Sequence, residues 1–77
     1  MSVHVEISGV LRRPTGDRAL TVDVSDPLSA TELIAKLGYD ERERRALRLS
    51  RDGTLLKPSD MIQDGDQLIL LAPIGGG

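Results

Sequence analysis

Few residues in this 77-residue chain are equipped for chemistry, and most of those fail on spacing. His4 is the only histidine, and the chain has no cysteine, so zinc-type ligation lacks a donor set. Asp64 and Asp66 flank Gly65. Two carboxylates in one turn are too few for a calcium loop, and the triplet reads as a turn former. Serine, histidine and aspartate all occur, but no Gly-x-Ser-x-Gly elbow presents a nucleophile. No glycine-lysine-hydroxyl run marks a phosphate-binding loop. Without cysteine there is no thiolate chemistry and no disulfide framework. What remains is the end of the sequence, Pro73-Ile74-Gly75-Gly76-Gly77. Glycine has no side chain to clash and reaches backbone conformations closed to other residues. Five residues counted from Pro73 extend at most roughly 17 Å. Pro73, with fixed φ and no N–H, stops a strand and aims the tail outward.

The preceding elements must carry that tail. Val3, Val5 and Ile7 alternate with His4, Glu6 and Ser8, the period of a strand with one buried face. Gly9 interrupts the pattern, and Val10-Leu11 resume it, which suggests a bulge or bend. Pro14-Thr15-Gly16-Asp17 is a turn by composition. Leu20, Val22 and Val24 alternate as a second strand, giving an antiparallel hairpin. Ser29-Ala30-Thr31-Glu32 has capping-box spacing. Ala30, Leu33, Ile34 and Leu37 follow at helical intervals, and Gly38 is a natural helix stop. Residues 39 to 45 are polar and charged and fit either one extra helical turn or a loop. Ala46 to Ser50 alternates as a third strand. Asp52-Gly53 signals a tight hairpin into Leu55-Leu56. Met61 and Ile62 are expected under the core, and Asp64-Gly65-Asp66 turns the chain into a last strand, Gln67 to Ala72. Nearly every position of that strand is apolar, which predicts a central strand covered on both faces.

Bulk properties narrow the function. A chain of this length is one domain that buries only about 60% of its unfolded surface, which leaves little room for a deep substrate cleft. Ten basic against twelve acidic residues give a net charge of −2, with no electrostatic footprint for nucleic acid or an anionic membrane. Tyr39 is the only aromatic, so bases have no stacking platform. The longest apolar run, Leu68 to Ala72, falls far short of a membrane span, and the first residues do not form a signal peptide. The expected location is the cytoplasm. Composition points to a carrier, adaptor or binding module, monomeric when free.

The element order is that of an α+β ubiquitin-like β-grasp: a mixed sheet of four to five strands, with one helix packed across it. Residues 1–72 form the domain, and 73–77 a flexible tail. From Asp64 to Gly77 the sequence combines a Gly-Asp turn, an apolar strand, a proline, a small apolar residue and a terminal Gly-Gly. This segment resembles the ending of the prokaryotic ubiquitin-like sulfur carriers, the family of the molybdopterin-synthase small subunit and the thiamin-pathway sulfur carrier. Gly75 departs from the family, where alanine or serine is commoner. The resemblance implies that an ATP-dependent activating enzyme adenylates the carboxylate of Gly77. The adenylate then becomes a thiocarboxylate, which donates sulfur to a biosynthetic enzyme. Gly75, Gly76, Pro73 and Ile74 would thread the partner's channel. The chain is then no enzyme. It binds no cofactor, and ATP is used by its partner.

Other readings stay open. The same tail can serve a protein modifier that forms isopeptide bonds, with Lys36 and Lys57 the only lysines to accept another copy. The chain can also be a plain β-grasp interaction domain. If Leu68 and Leu70 face the helix, Ile69 and Leu71 face away, together with Arg48 of the neighbouring strand. These three residues form a candidate partner-binding face. The charged run Glu41-Arg42-Glu43-Arg44-Arg45 reads as a solvated segment rather than a dock for an acidic partner.

Overall fold

A computed structural model describes residues 1–73. The chain runs β1 (Ser2–Ile7), β2 (Ala19–Asp23), α1 (Ala30–Lys36), α2 (Glu41–Ala46), β3 (Arg48–Arg51), β4 (Thr54–Leu55) and β5 (Gln67–Leu71). The five strands form one sheet in the order β2-β1-β5-β3-β4. The last strand lies in the middle, parallel to β1 and antiparallel to β3. Register brings Val5 opposite Leu68, and Ile7 and Leu49 opposite Leu70. These five residues and Val3 are almost completely buried. The buried side of α1, made of Ala30, Leu33 and Ile34, belongs to the same apolar cluster.

Both ends of α1 form as the sequence indicates. Ser29 accepts the Glu32 N–H at 3.3 Å, and Glu32 accepts the Ser29 N–H at 2.8 Å, so each satisfies an otherwise orphaned amide. The backbone N–H of Ser29, followed by its side chain, holds the Glu32 carboxyl below its ordinary pKa. At the other end Gly38 adopts φ +106°. A β-carbon there would sit 2.8 Å from Cβ of Pro14, so both backbone angle and packing demand glycine. Asp52 and Gly53 both have positive φ, the conformation that closes the β3–β4 hairpin.

Several expectations are corrected. Of the two readings open for 39–45 the helical one holds, and it extends to a second helix over 41–46, so Ala46 belongs to α2 and the third strand begins only at Arg48. The cause is a second capping box. Asp40 accepts the Glu43 N–H at 2.7 Å, and Glu43 accepts the Asp40 N–H at 3.1 Å. Acidic residues in the first turn and arginines in the last complement the helix dipole. Val10 is fully exposed and does not resume β1; the link to β2 is a long loop. Met61 is exposed and only Ile62 is buried, because the two neighbours point to opposite sides of an extended segment. β5 is covered on one face only: Ile69 is 44% exposed, since the packing helix lies on the opposite face.

The β1–β2 loop is fastened to α2. Arg12 grips Glu43 with two hydrogen bonds, Nε to Oε2 at 2.9 Å and Nη2 to Oε1 at 2.7 Å. Its guanidinium lies 5.4 Å from the centre of the Tyr39 ring. The buried Tyr39 hydroxyl donates to the Arg12 carbonyl. Burial pushes that phenol's pKa up, which keeps it a donor. The Arg12 side chain, with the Asp40 N–H, draws the Glu43 carboxyl down to about 2.

Gly38→Ala should destabilise the fold by more than about 1 kcal/mol. That lowers Tm by at least about 4 °C in a thermal melt. Glu43→Gln should melt lower than wild type at neutral pH. A depressed carboxylate pKa contributes stability above the unfolded value of 4.5 and loses it as pH falls towards about 2. The gap between the two proteins should therefore close over that window in acid melts.

Candidate functional site

The candidate site is the end of β5, from which the C-terminal segment continues, and the sheet face beside it. β5 must be held along its length if the segment beyond it is to leave from a fixed point. At its start, Asp64 Oδ1 accepts the Ser2 N–H at 2.8 Å, and the Gly65 N–H reaches the Ser2 carbonyl at 2.8 Å. Asp66 Oδ2 accepts both Arg51 Nη1 at 2.7 Å and the Gln63 N–H at 2.8 Å. The Asp66 side chain is 9% exposed, so this pair is screened less than a surface one. Asp64 and Asp66 thus act as strand anchors. Among the described residues, no group of three or more His, Cys, Asp or Glu could hold a metal ion. At the far end of the strand, the Ser8 N–H bonds the Leu70 carbonyl at 2.9 Å. Leu71 is the last strand residue, Ala72 is exposed and Pro73 half-buried.

Gly77, Gly76, Gly75 and Ile74 lie outside the described residues. Of the partner-face residues, Ile69 and Leu71 both project from β5 on the side away from the buried Leu68 and Leu70. Ile69 sits between Glu6 of β1 and Ser50 of β3. Leu55 on β4 is opposite Ser50 and 47% exposed. His4 lies opposite Thr21 and Gln67, with its Nδ1 3.0 Å from the Thr21 hydroxyl. The face is therefore a shallow hollow with Ile69 on its floor and a polar surround.

Arg48 lies opposite Leu71 in the register. Its guanidinium folds back to the Leu47 carbonyl at 2.8 Å and the Arg45 carbonyl at 3.5 Å. It thus marks the rim of the face where the sheet meets α2. Sequence reasoning did not assign Arg51, whose role rests on a partner 15 positions away. Nor did it assign Arg12 and Glu43, although the Asp40-x-x-Glu43 spacing was a usable signal for α2. Asp66→Ala should leave Arg51 without its carboxylate and the Gln63 N–H without its acceptor. The expected cost is about 1–3 kcal/mol, read as a lower urea midpoint at unchanged m-value.

Comparison with known proteins agrees with this geometry. The crystal structure of SAMP1 from Haloferax volcanii superposes with a TM-score of 0.67 at 17% identity, covering 100% of each chain. At that identity the likeness shows the fold, a ubiquitin-like β-grasp. No curated protein matches the chain. No helix among the described residues is long and apolar enough to cross a membrane. Residues 5–77 match the ThiS family, a span that runs from the second half of β1 through β5 to the glycines at 75–77. The chain belongs to the ThiS family of ubiquitin-like sulfur carriers.

Proposed function

We propose that this carrier works through the carboxylate of Gly77. An ATP-dependent activating enzyme adenylates it: a carboxylate oxygen attacks the α-phosphorus of ATP, and pyrophosphate leaves. Sulfide, or a sulfur donor acting in its place, then attacks the acyl carbon. The C–S bond forms as the C–O bond to AMP breaks, leaving a thiocarboxylate for a sulfur-accepting biosynthetic enzyme. The chain supplies the substrate group and its presentation, and its partner supplies the ATP site. The reading rests on the family match, which extends over the whole tail to Gly77.

The anchored root of β5 supports it. A tail that enters another protein's active site needs a rigid origin, because a misplaced origin misplaces the reacting carbon. Pro73, Ile74, Gly75 and Gly76 form the threading segment. Ile69 and Leu71, with Arg48 at the rim, form the face that meets the activating enzyme. An exposed apolar residue in a polar surround gives that face a point of contact.

Intact mass tests the proposal. Incubation with a cognate activating enzyme, ATP and sulfide should add the mass difference of one oxygen replaced by sulfur. Deletion of Gly77 should abolish the gain without changing the melting curve. Ile69→Glu should slow the conversion by raising KM for the carrier about tenfold or more, a loss of about 1.4 kcal/mol of recognition. Covalent adducts on lysines, in place of the sulfur exchange, would redirect the assignment to a protein modifier.

A further inference from the structure

The fold sorts the charged run 41–48 into two faces. Glu43 is taken up by Arg12 and by the α2 cap. Arg44, Arg45 and Arg48 are left lining a shallow notch together with Thr31, Pro58 and Glu41. Two of these arginines are held in place. Arg44 donates through Nη1 to the Tyr39 carbonyl at 2.9 Å, and Arg48 donates through Nη1 to the Leu47 carbonyl at 2.8 Å. Neither has a carboxylate within ion-pair distance among the described residues. Arg45 has only an exposed contact to Glu41 at 3.4 Å, with both side chains 76% exposed. Such a pair contributes little and yields readily to a better partner.

The chain as a whole is net acidic, yet four of its eight arginines fall between positions 42 and 48. The notch also lies where the tail departs, because Arg48 is the cross-strand neighbour of Leu71. Guanidiniums fixed by one nitrogen keep their remaining N–H donors in a planar fork suited to carboxylates. We propose that this notch docks a carboxylate-rich segment of the protein that receives the tail, with Arg44, Arg45 and Arg48 as the contacts. The identity of that protein rests on the carrier reading, while the binding chemistry does not. Such a contact steers the tail-bearing end of the carrier towards its partner and weakens with ionic strength.

The test is an NMR titration of the isotope-labelled full chain at low salt, with an acetylated glutamate-rich peptide as probe. The Nε–H signals of Arg44, Arg45 and Arg48 should shift together with the Thr31 amide, while those of Arg13 and Arg18 stay still. Arg45→Gln/Arg48→Gln should weaken binding about tenfold, equal to about 1.4 kcal/mol. The single variant Arg45→Gln, which loses only the exposed contact to Glu41, should weaken it measurably and guards against a folding defect. Glu41→Gln removes the competing carboxylate and should tighten binding about twofold.

Shifts spread evenly over all arginines, or unchanged affinity in the double variant, would overturn the proposal. So would tighter binding of inorganic phosphate than of the peptide. With an activating enzyme, the double variant should raise KM for the carrier about tenfold at unchanged kcat. A wild-type chain that binds the peptide but is never adenylated defeats the carrier reading and leaves the notch standing. Efficient adenylation with no change of KM in the double variant defeats the notch.

Discussion

Everything in this fold depends on the last strand occupying the middle of the sheet. β5 pairs with β1 on one side and β3 on the other, so it alone joins the β1–β2 and β3–β4 pairs into one sheet. Leu68 and Leu70 bring the two halves of the chain into one apolar cluster with Val5, Ile7 and Leu49. Because β5 is also the last element, the segment that follows it starts from the best-supported line of the molecule. In the proposed carrier function this combination gives the reactive end a fixed point of origin.

The central strand has only one face to spend on the core. α1 is the layer over that face, and with so short a chain there is no second layer. The other face is consequently left to solvent, and with it Ile69 and Leu55. The same constraint that makes the domain small thus leaves an open sheet face, the one proposed to meet a partner. Polar anchors hold the strand in register where apolar burial cannot. Asp64 and Asp66 act through the backbone of the first strand and of their own turn, and Arg51 completes the set.

The region from Tyr39 to Arg48 shows a different division of labour. One side chain, Arg12, comes from the long loop and joins it to Tyr39 and Glu43. By taking Glu43, it breaks the local charge balance of the helix and leaves the arginines of its last turn facing outwards. In the sequence the same run looks evenly mixed, two glutamates among arginines, and that evenness made it read as a solvated segment. The basic surface near the end of β5 is therefore a product of long-range pairing and not of composition.

The β-grasp order, the α1 stripe, its capping box and its glycine stop are all legible in the residues alone. These are signals of period and spacing within a few residues, set by the geometry of strand and helix. The sequence likewise points to the tail as the proposed place for chemistry, since no other residues have usable spacing. The helix at 41–46 is signalled as locally, by Asp40-x-x-Glu43, as α1 is by its own box. Folding alone settles which face of β5 is open, that Met61 turns outwards, and that Arg51 and Arg12 meet Asp66 and Glu43. Each of those depends on a partner brought close by folding, and a strand's alternation alone is indifferent to which of its faces a helix will cover.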